Sequence, residues 1–268
     1  MRIAGIQMNP KFTLIGLIIG FLIGLTGVGG GSLMTPVMIL VMGVKPIIAV
    51  GTDLAYGAIT KIVGAGAHLR QGTVHRRTAY LLASGSVPAT LLGVGLTDHI
   101  RTTTPAFVSV FLLRAIAWTL IVVAAVLVLG PLLQRYGRER RDVRDVAEMW
   151  GEKHPWILPI AGAVVGFLVG LTSVGSGSLI IVGLFFLYPR WQSKDLVGTD
   201  VFHAAILVSA ASLAQFASGN VNVGMMASLL LGSMPGVLIG SRLSIGFPER
   251  LLRFSLAGLL FASGVRLL

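Results

Sequence analysis

One 14-residue segment occurs twice in this chain of 268 residues. Residues 20–33 and 166–179 are identical at eleven of fourteen positions, and each interrupts an apolar stretch with a glycine-rich run. Shorter matches follow both segments in the same order, at a spacing of 147 instead of 146: Gly51-Thr52-Asp53 with Gly198-Thr199-Asp200, and Gly85-Ser86-x-Pro88 with Gly232-Ser233-x-Pro235. Matches in this order and register predict a duplicated structural unit.

The matches divide the chain into three parts. Residues 1–133 form the first copy, residues 134–155 a polar linker, and residues 156–268 the second copy. Within the linker, eleven of the twenty residues from 134 to 153 are charged. We therefore expect the linker to lie in water, as a solvated helical connection between the copies.

Long apolar stretches make both copies candidates for the lipid bilayer. Charged residues are 12% of the chain, against about 25% in a soluble domain. Stretches of near 20 apolar residues predict transmembrane helices. The first copy contains five apolar segments, at 12–28, 33–44, 46–69, 78–96 and 115–133. We predict an all-α integral membrane protein of about eight spans, in which the first two segments of each copy form short broken helices or a re-entrant hairpin.

The order of spans bears on how the copies are related. A chain that returns to its starting side after the Gly-rich break crosses the membrane an odd number of times per copy, which inverts the second copy. With the N-terminus outside, inversion places 14 Lys and Arg residues inside and 6 outside, with Lys61 within a span. Parallel copies of four crossings place 12 against 8. The positive-inside rule favours inverted repeats.

Several function classes find no support in the sequence. The net charge of +11 comes mainly from loops between spans, without the aromatic and basic pattern of nucleic-acid binding. The chain has no cysteine, and its five histidines form no metal-binding motif. No nucleotide-binding loop or hydrolase motif has its required flanks. We predict a protein that is not an enzyme, without metal or cofactor. The apolar N-terminus reappears in the second copy, so we interpret it as structure rather than a cleaved signal.

The two Gly-rich breaks are the first candidate site. Glycines loosen the helix and free backbone N–H groups, which persist inside a membrane only where protein or a wet cavity surrounds them. A serine that caps the next short helix completes an anion site of the kind found at helix N-termini. The alternative is close packing of helices at glycines. The candidate substrate-binding residues at the breaks are Thr26, Gly29, Gly30, Gly31 and Ser32, and Thr172, Gly175, Gly177 and Ser178.

Asp53 and Asp200 occupy matched places within apolar spans. A carboxylate inside a membrane is costly and is a functional candidate for that reason. Proton relay, cation coordination and a salt bridge to a basic side chain all fit, as does the structural role of capping local backbone.

Lys61 lies well inside a predicted span, and Val208 takes its place in the second copy. It can attract an anion or form a structural ion pair. Eight residues separate it from Asp53, about 12 Å along a straight helix, so a partner on another helix fits better. His203 follows Asp200 by three residues and can contact it, which makes His203 a proton-relay candidate beside its alternative as a packing residue.

These motifs together resemble the TauE/SafE family of sulfite exporters and DUF81-like membrane permeases. The resemblance rests on the break followed by serine, then Gly-Thr-x-Leu or Gly-Thr-x-Val, then Gly-Ser-x-Pro, each in both copies. It implies a multi-pass permease of the plasma membrane for sulfite, a sulfonate or a related small anion. In the family the residue after Gly-Thr is often uncharged; Asp53 and Asp200 depart from that pattern and favour proton coupling.

Two alternatives stay open at this point. One is a cation- or proton-linked permease for another small solute, and the other is a membrane assembly protein that transports nothing. Gly-rich helix faces also permit a homodimer.

Overall fold

A computed structural model of the chain describes residues 2–3, 6–7, 9–26, 31–139, 150–243 and 249–268. These residues are almost entirely helical. The two strands, β1 (Arg2–Ile3) and β2 (Ile6–Gln7), form a short antiparallel pair at the N-terminus. The helices are α1 (Pro10–Thr26), α2 (Gly31–Leu40), α3 (Pro46–Arg70), α4 (Arg76–Thr103), α5 (Pro105–Glu139), α6 (Trp150–Lys153), α7 (Ile157–Thr172), α8 (Ser178–Leu187), α9 (Ser193–Ala217), α10 (Val223–Leu243) and α11 (Glu249–Leu267).

Five of the described helices are long and apolar enough to cross a membrane: α3, α4, α9, α10 and residues Pro105–Gly130 of α5. Three more, α1, α7 and α8, are apolar but shorter. The chain is thus a multi-pass helical protein, whereas the predicted number of about eight spans exceeds the five that meet the length criterion. Outward-facing Leu, Ile, Val and Phe side chains on these helices are exposed, as a surface in contact with lipid requires.

The segment boundaries differ from the prediction at α5 and at the breaks. The last apolar segment of the first copy was expected from residue 115, but the helix begins at Pro105, a residue suited to the first turn. The polar residues 134–139 continue α5, and residues 140–149 of the linker lie outside the described part. The cap of α8 is Gly177 without a side-chain hydrogen bond, so the prediction that Ser178 caps this helix is wrong.

Helix α1 packs along α10, and α4 packs along α7. Both interfaces depend on glycines where two backbones nearly touch. A Cβ added to Gly20 would lie 2.4 Å from the carbonyl oxygen of Ser233, and one added to Gly166 would lie 2.3 Å from that of Ser86. Gly20 and Gly166 are equivalent positions of the two sequence copies, and so are Ser86 and Ser233. The two contacts are therefore the same contact, made once by a glycine of the first copy and once by a glycine of the second. The same holds one turn to either side: Gly16 faces Leu229 and Gly162 faces Leu82, while Gly24 faces Val237 and Gly170 faces Thr90.

Helices α3 and α9 pack against each other in the centre. Their N-terminal halves are buried, including the Gly-Thr-Asp segments. The threonine of each segment receives a backbone hydrogen bond from the other half. The N–H of Asn222 donates to Oγ1 of Thr52 and the N–H of His75 donates to Oγ1 of Thr199, each at 3.0 Å. The centre is therefore assembled from both halves of the chain.

Candidate functional site

The second Gly-rich break, residues 172–178, turns the chain sharply between α7 and α8. Ser173 ends α7 in the left-handed region, at φ 61°, and it is the one residue other than glycine with a positive φ in the described chain. Gly175 has φ 98°, where a side chain would add strain. The break is buried from Thr172 to Ser176.

Backbone N–H groups are freed at this break. Among the described residues, no hydrogen-bond acceptor is found for the N–H groups of Gly175, Ser176 and Gly177, whereas the N–H of Ser173 donates to the carbonyl of Val169 at 2.8 Å. These groups precede the first turn of α8, so their dipoles add to that of the helix N-terminus. The backbone here can receive a negatively charged group.

Asp53 of α3 reaches this break from the first half of the chain. Its Oδ2 accepts hydrogen bonds from Oγ of Ser173 at 2.9 Å and from Oγ1 of Thr35 on α2 at 2.5 Å. The side chain is 1% exposed, and its other oxygen, Oδ1, has no partner among the described residues. Asp53 thus links α2, α3 and the second break, with one carboxylate oxygen left over.

Lys61 lies two turns further along α3 and also reaches the second break. Its Nζ donates to Oγ of Ser176 at 2.6 Å. Neither Asp53 nor Asp200 lies within ion-pair distance of Nζ in the described chain. The expectation of a partner on another element is met by a hydroxyl group instead of a carboxylate.

Asp200 of α9 lies against the same break from the other side. A Cβ added to Gly177 would lie 3.6 Å from Oδ2 of Asp200, which places this carboxylate next to the break. The side chain is 3% exposed, and Oδ1 has no hydrogen-bond partner among the described residues. The break therefore gathers one cation and two carboxylates, contributed by both halves.

His203 is fully buried on α9, one turn beyond Asp200. Its Nε2 shares a hydrogen bond with Oγ of Ser86 on α4 at 2.8 Å, and Nδ1 has no partner in the described part of the chain. The predicted contact with Asp200 is not among its hydrogen bonds. The equivalent residues of the first copy are Tyr56, in place of His203, and Ser233, in place of Ser86.

The remaining predicted residues have more local roles. The hydroxyls of Thr26 and Thr172 each donate to a carbonyl of their own helix, at Leu22 and Leu168, both at 2.7 Å. Thr172 also accepts a hydrogen bond from the N–H of Val174 at 3.2 Å. Gly31 begins α2 and Ser32 is buried within it, while Ser178 is partly buried in the first turn of α8. Gly29 and Gly30 lie outside the described residues.

Sequence reasoning missed four polar residues of the site: Thr35, Ser86, Ser173 and Ser176. Each carries a hydroxyl and lies in an apolar helix or a break, where hydroxyls are common and usually bond to their own backbone. The two positions at which Ser173 and Ser176 replace glycines of the first break were visible in the repeat. No group of three metal-binding side chains occurs among the described residues.

Comparisons with known proteins agree with this architecture. Residues 12–267 match the family described as Sulfite exporter TauE/SafE. The chain is 40% identical over 261 residues to the probable membrane transporter protein YjnA of Bacillus subtilis (strain 168), which covers 97% of this chain and 100% of that protein. From the same organism, the probable membrane transporter YunE is 27% identical over 86% of both chains, and YdhB is 23% identical over 90% and 92%.

No solved structure matches the chain. The family match spans nearly all of the sequence, and it includes both breaks and the helices that carry Asp53, Lys61 and Asp200. The chain therefore belongs to the TauE/SafE sulfite exporter family of membrane transporters.

Proposed function

We propose that this transporter carries a small oxyanion, of the sulfite or sulfonate class, across the plasma membrane together with a proton. The observation that carries the proposal is the convergence at the second break. Three free N–H groups, the ammonium of Lys61 and two buried carboxylates meet there, drawn from both halves of the chain.

The backbone and Lys61 supply the attraction for an anion. The N–H groups of residues 175–177, which have no acceptor among the described residues, are available to donate hydrogen bonds to a ligand, and a helix N-terminus favours negative charge. Lys61 is held 2.6 Å from Ser176, in the middle of these groups. A sulfur oxyanion presents several acceptor oxygens, which matches a site made of donors.

The carboxylates supply the reason for proton coupling. With Lys61, Asp53 and Asp200 all ionised, the site has a net charge of −1 and repels an anion. With both carboxyl groups protonated its charge is +1. Because an unbalanced charge is costly inside a membrane, the anion and at least one proton should enter together. The same two orphaned oxygens would suit a cation, so a cation-linked permease for another solute is the second candidate.

The packing of the halves supports alternating access. Equivalent glycines close the α1–α10 and α4–α7 interfaces, and Thr52 and Thr199 receive matching hydrogen bonds. We take these paired contacts as support for two inverted repeats around a central site. Rocking of one repeat against the other would expose the site to each side in turn.

Transport by purified protein in proteoliposomes tests the proposal. Radiolabelled sulfite, sulfoacetate and sulfate are offered as a panel, with and without a pH gradient, and the initial rate of uptake is measured. We expect the gradient to drive accumulation of at least one of these anions. Uptake that ignores the gradient for every anion would contradict proton coupling.

Lys61→Ala is the decisive variant for the anion site. It removes the cation without enlarging the side chain, and we expect about a tenfold or larger loss of uptake, equivalent to about 1.4 kcal/mol. Lys45→Ala is the matched control, because Lys45 is exposed before α3 and has no contact with the site. Equal rates for both variants would exclude Lys61 from anion binding and favour the cation-linked alternative.

A further inference from the structure

The two carboxylates at the centre occupy matched places in the sequence, yet their surroundings differ. Asp53 accepts two hydroxyl hydrogen bonds on Oδ2 and has no partner on Oδ1, whereas no hydrogen bond to Asp200 is found among the described residues. We propose that they have different roles: Asp200 binds and releases the coupled proton, and Asp53 is a positioning residue that holds the second break in shape. This division rests on the proposed function, because it assigns the proton of that transport cycle to one side chain.

The hydrogen bonds of Asp53 explain its positioning role. Ser173 adopts a left-handed conformation that is costly for a residue with a side chain. Its hydroxyl donates to Asp53 at 2.9 Å, so the carboxylate fixes the point at which α7 turns towards α8. Thr35 donates to the same oxygen from α2. This positioning role requires an oxygen atom that accepts hydrogen bonds, and the amide oxygen of asparagine can supply one.

The second copy has no hydroxyl group at the positions equivalent to Ser173 and Thr35, the two donors to Asp53. Gly27 stands at the position equivalent to Ser173, and Ile181 or Val182 at the position equivalent to Thr35, depending on the register used. None of these side chains can donate a hydrogen bond. Asp200 therefore has no equivalent of the two hydroxyl partners of Asp53.

The charged neighbours of Asp200 are few. Helix α3 contributes Lys61, together with Asp53 and Tyr56, and α9 contributes His203. Helices α7 and α8 carry no titratable side chain, and α4 carries only Tyr80, which is exposed, between Thr78 and Thr97. Of the side chains named here, Lys61 is the one cation, and it lies at the same break as Asp200. The ionised form of Asp200 therefore depends mainly on Lys61.

This dependence couples the proton to the anion. When Asp200 is ionised, it gives the site a net charge of −1 together with Lys61 and the carboxylate of Asp53, and the site repels an anion. When Asp200 takes up a proton, the net charge becomes 0, and the ammonium group of Lys61 and the N–H groups of the break can bind the oxyanion. After the anion leaves, the positive charge of Lys61 again favours the ionised form of Asp200. Release of the anion therefore favours release of the proton. No bond other than the O–H bond of the carboxyl group forms or breaks.

Two isosteric variants, Asp200→Asn and Asp53→Asn, separate the two roles in proteoliposomes. Sulfite counterflow measures binding and exchange of the anion, and a pH-sensitive dye trapped in the lumen measures proton movement driven by a sulfite gradient. We expect Asp200→Asn to keep counterflow and to lose sulfite-driven proton movement. We expect Asp53→Asn to retain sulfite-driven proton movement, with changed rates of counterflow, because it removes one negative charge from the site and keeps the titrating carboxyl group of Asp200. Loss of proton movement in Asp53→Asn, or its survival in Asp200→Asn, would overturn the division.

A measurement without substrate keeps the test independent of the proposed function. Infrared difference spectra of the purified protein are recorded during a pH titration, and the carbonyl band of a protonated carboxyl group is followed. We expect one titrating band that disappears in Asp200→Asn and persists in Asp53→Asn. A band that disappears only in Asp53→Asn, or no titrating band at all, would overturn the assignment. If the wild-type protein moves no anion but shows the expected bands, the proposed function fails while the division stands.

Folding defects are distinguished from loss of coupling by two further variants. Asp200→Glu restores a titratable carboxyl group and should restore proton movement. Asp53→Ala removes the acceptor that Asp53→Asn retains, so it should lower the melting temperature in detergent while Asp53→Asn does not. Equal melting temperatures for the alanine and asparagine variants would contradict the positioning role of Asp53.

Discussion

The helix interfaces of this protein use the same residues in both sequence copies, whereas the polar centre does not. At the interfaces, Gly20 against Ser233 and Gly166 against Ser86 are the same contact made twice. In the centre, Tyr56 corresponds to His203, and Lys61 corresponds to Val208. The glycine contacts occur twice at matched positions, whereas the charged groups are distributed unequally between the two sequence copies.

Close packing constrains the residues at the helix interfaces, whereas net charge constrains those in the polar centre. A helix crossing at which two backbones touch accepts only glycine, so both copies keep it. A polar site needs a net charge suited to its ligand, which a second lysine at position 208 would alter. Close packing therefore keeps the same residues in both copies, whereas the charge that the polar site requires makes the copies differ. The predictions below test the two sides of this comparison.

The largest effect is expected at the interface glycines. Gly166→Ala places a Cβ 2.3 Å from the carbonyl oxygen of Ser86, and we expect it to destabilise the protein by about 3 kcal/mol through backbone displacement. Gly95→Ala is the matched control on α4, because nothing lies within 4 Å of its added Cβ. It should be neutral or stabilise by up to about 1 kcal/mol. Thermal unfolding in detergent measures both, and similar melting temperatures would contradict the packing argument.

The next effect concerns the hydroxyl groups that hold Asp53. Thr35→Val removes one donor to a buried carboxylate at almost constant volume, so we expect a loss of about 2 kcal/mol. Thr119→Val is the control, because this hydroxyl donates only to a carbonyl of its own helix, that of Ala115. Thermal unfolding compares the two. If Thr119→Val costs as much as Thr35→Val, the hydrogen bond to Asp53 has no special value.

A smaller effect is expected when His203 is replaced by glutamine. The amide can keep the hydrogen bond to Ser86 but cannot titrate, so His203→Gln should cost about 1 kcal/mol and leave sulfite-driven proton movement intact. His203→Ala, which loses the bond, serves as the comparison. Proton movement that disappears in His203→Gln would make His203 part of the proton path and would contradict the assignment of the proton to Asp200 alone.

The smallest effect is expected at Arg101, at the end of α4. Its guanidinium bonds to Oδ1 of Asn220 at 2.8 Å and pairs with Asp98 at 2.6 Å, but the side chains of this ion pair are about one-third exposed. Exposed ion pairs contribute little, so Arg101→Gln should cost below about 1 kcal/mol in thermal unfolding. A loss as large as that of Gly166→Ala would show that this contact joins the halves as firmly as the glycine interfaces do.

Much of the fold follows from the sequence because hydrophobic spans and glycine-rich breaks are local signals. The apolar lengths of the first copy predict α3 closely and the start of α4 to within two residues, since a helix in lipid must satisfy its own backbone. The start of α5 at Pro105 was missed because residues 105–114 are less continuously apolar and include Arg114. The site was predicted in part: Asp53, Asp200 and Lys61 are conspicuous as charges within apolar segments, whereas Ser173 and Ser176 are ordinary residues until their partners are known.

The sequence alone determined that this is a membrane protein made of two related halves, because composition and identities at a fixed spacing need no three-dimensional information. It also determined that Lys61 and the two aspartates are unusual. Only the tertiary structure decided that Lys61 and Asp53 of the first half reach the break of the second half, through Ser176 and Ser173. Contacts between residues more than a hundred positions apart depend on how helices cross, which no local pattern encodes. That crossing makes two aspartates with the same sequence motif chemically different.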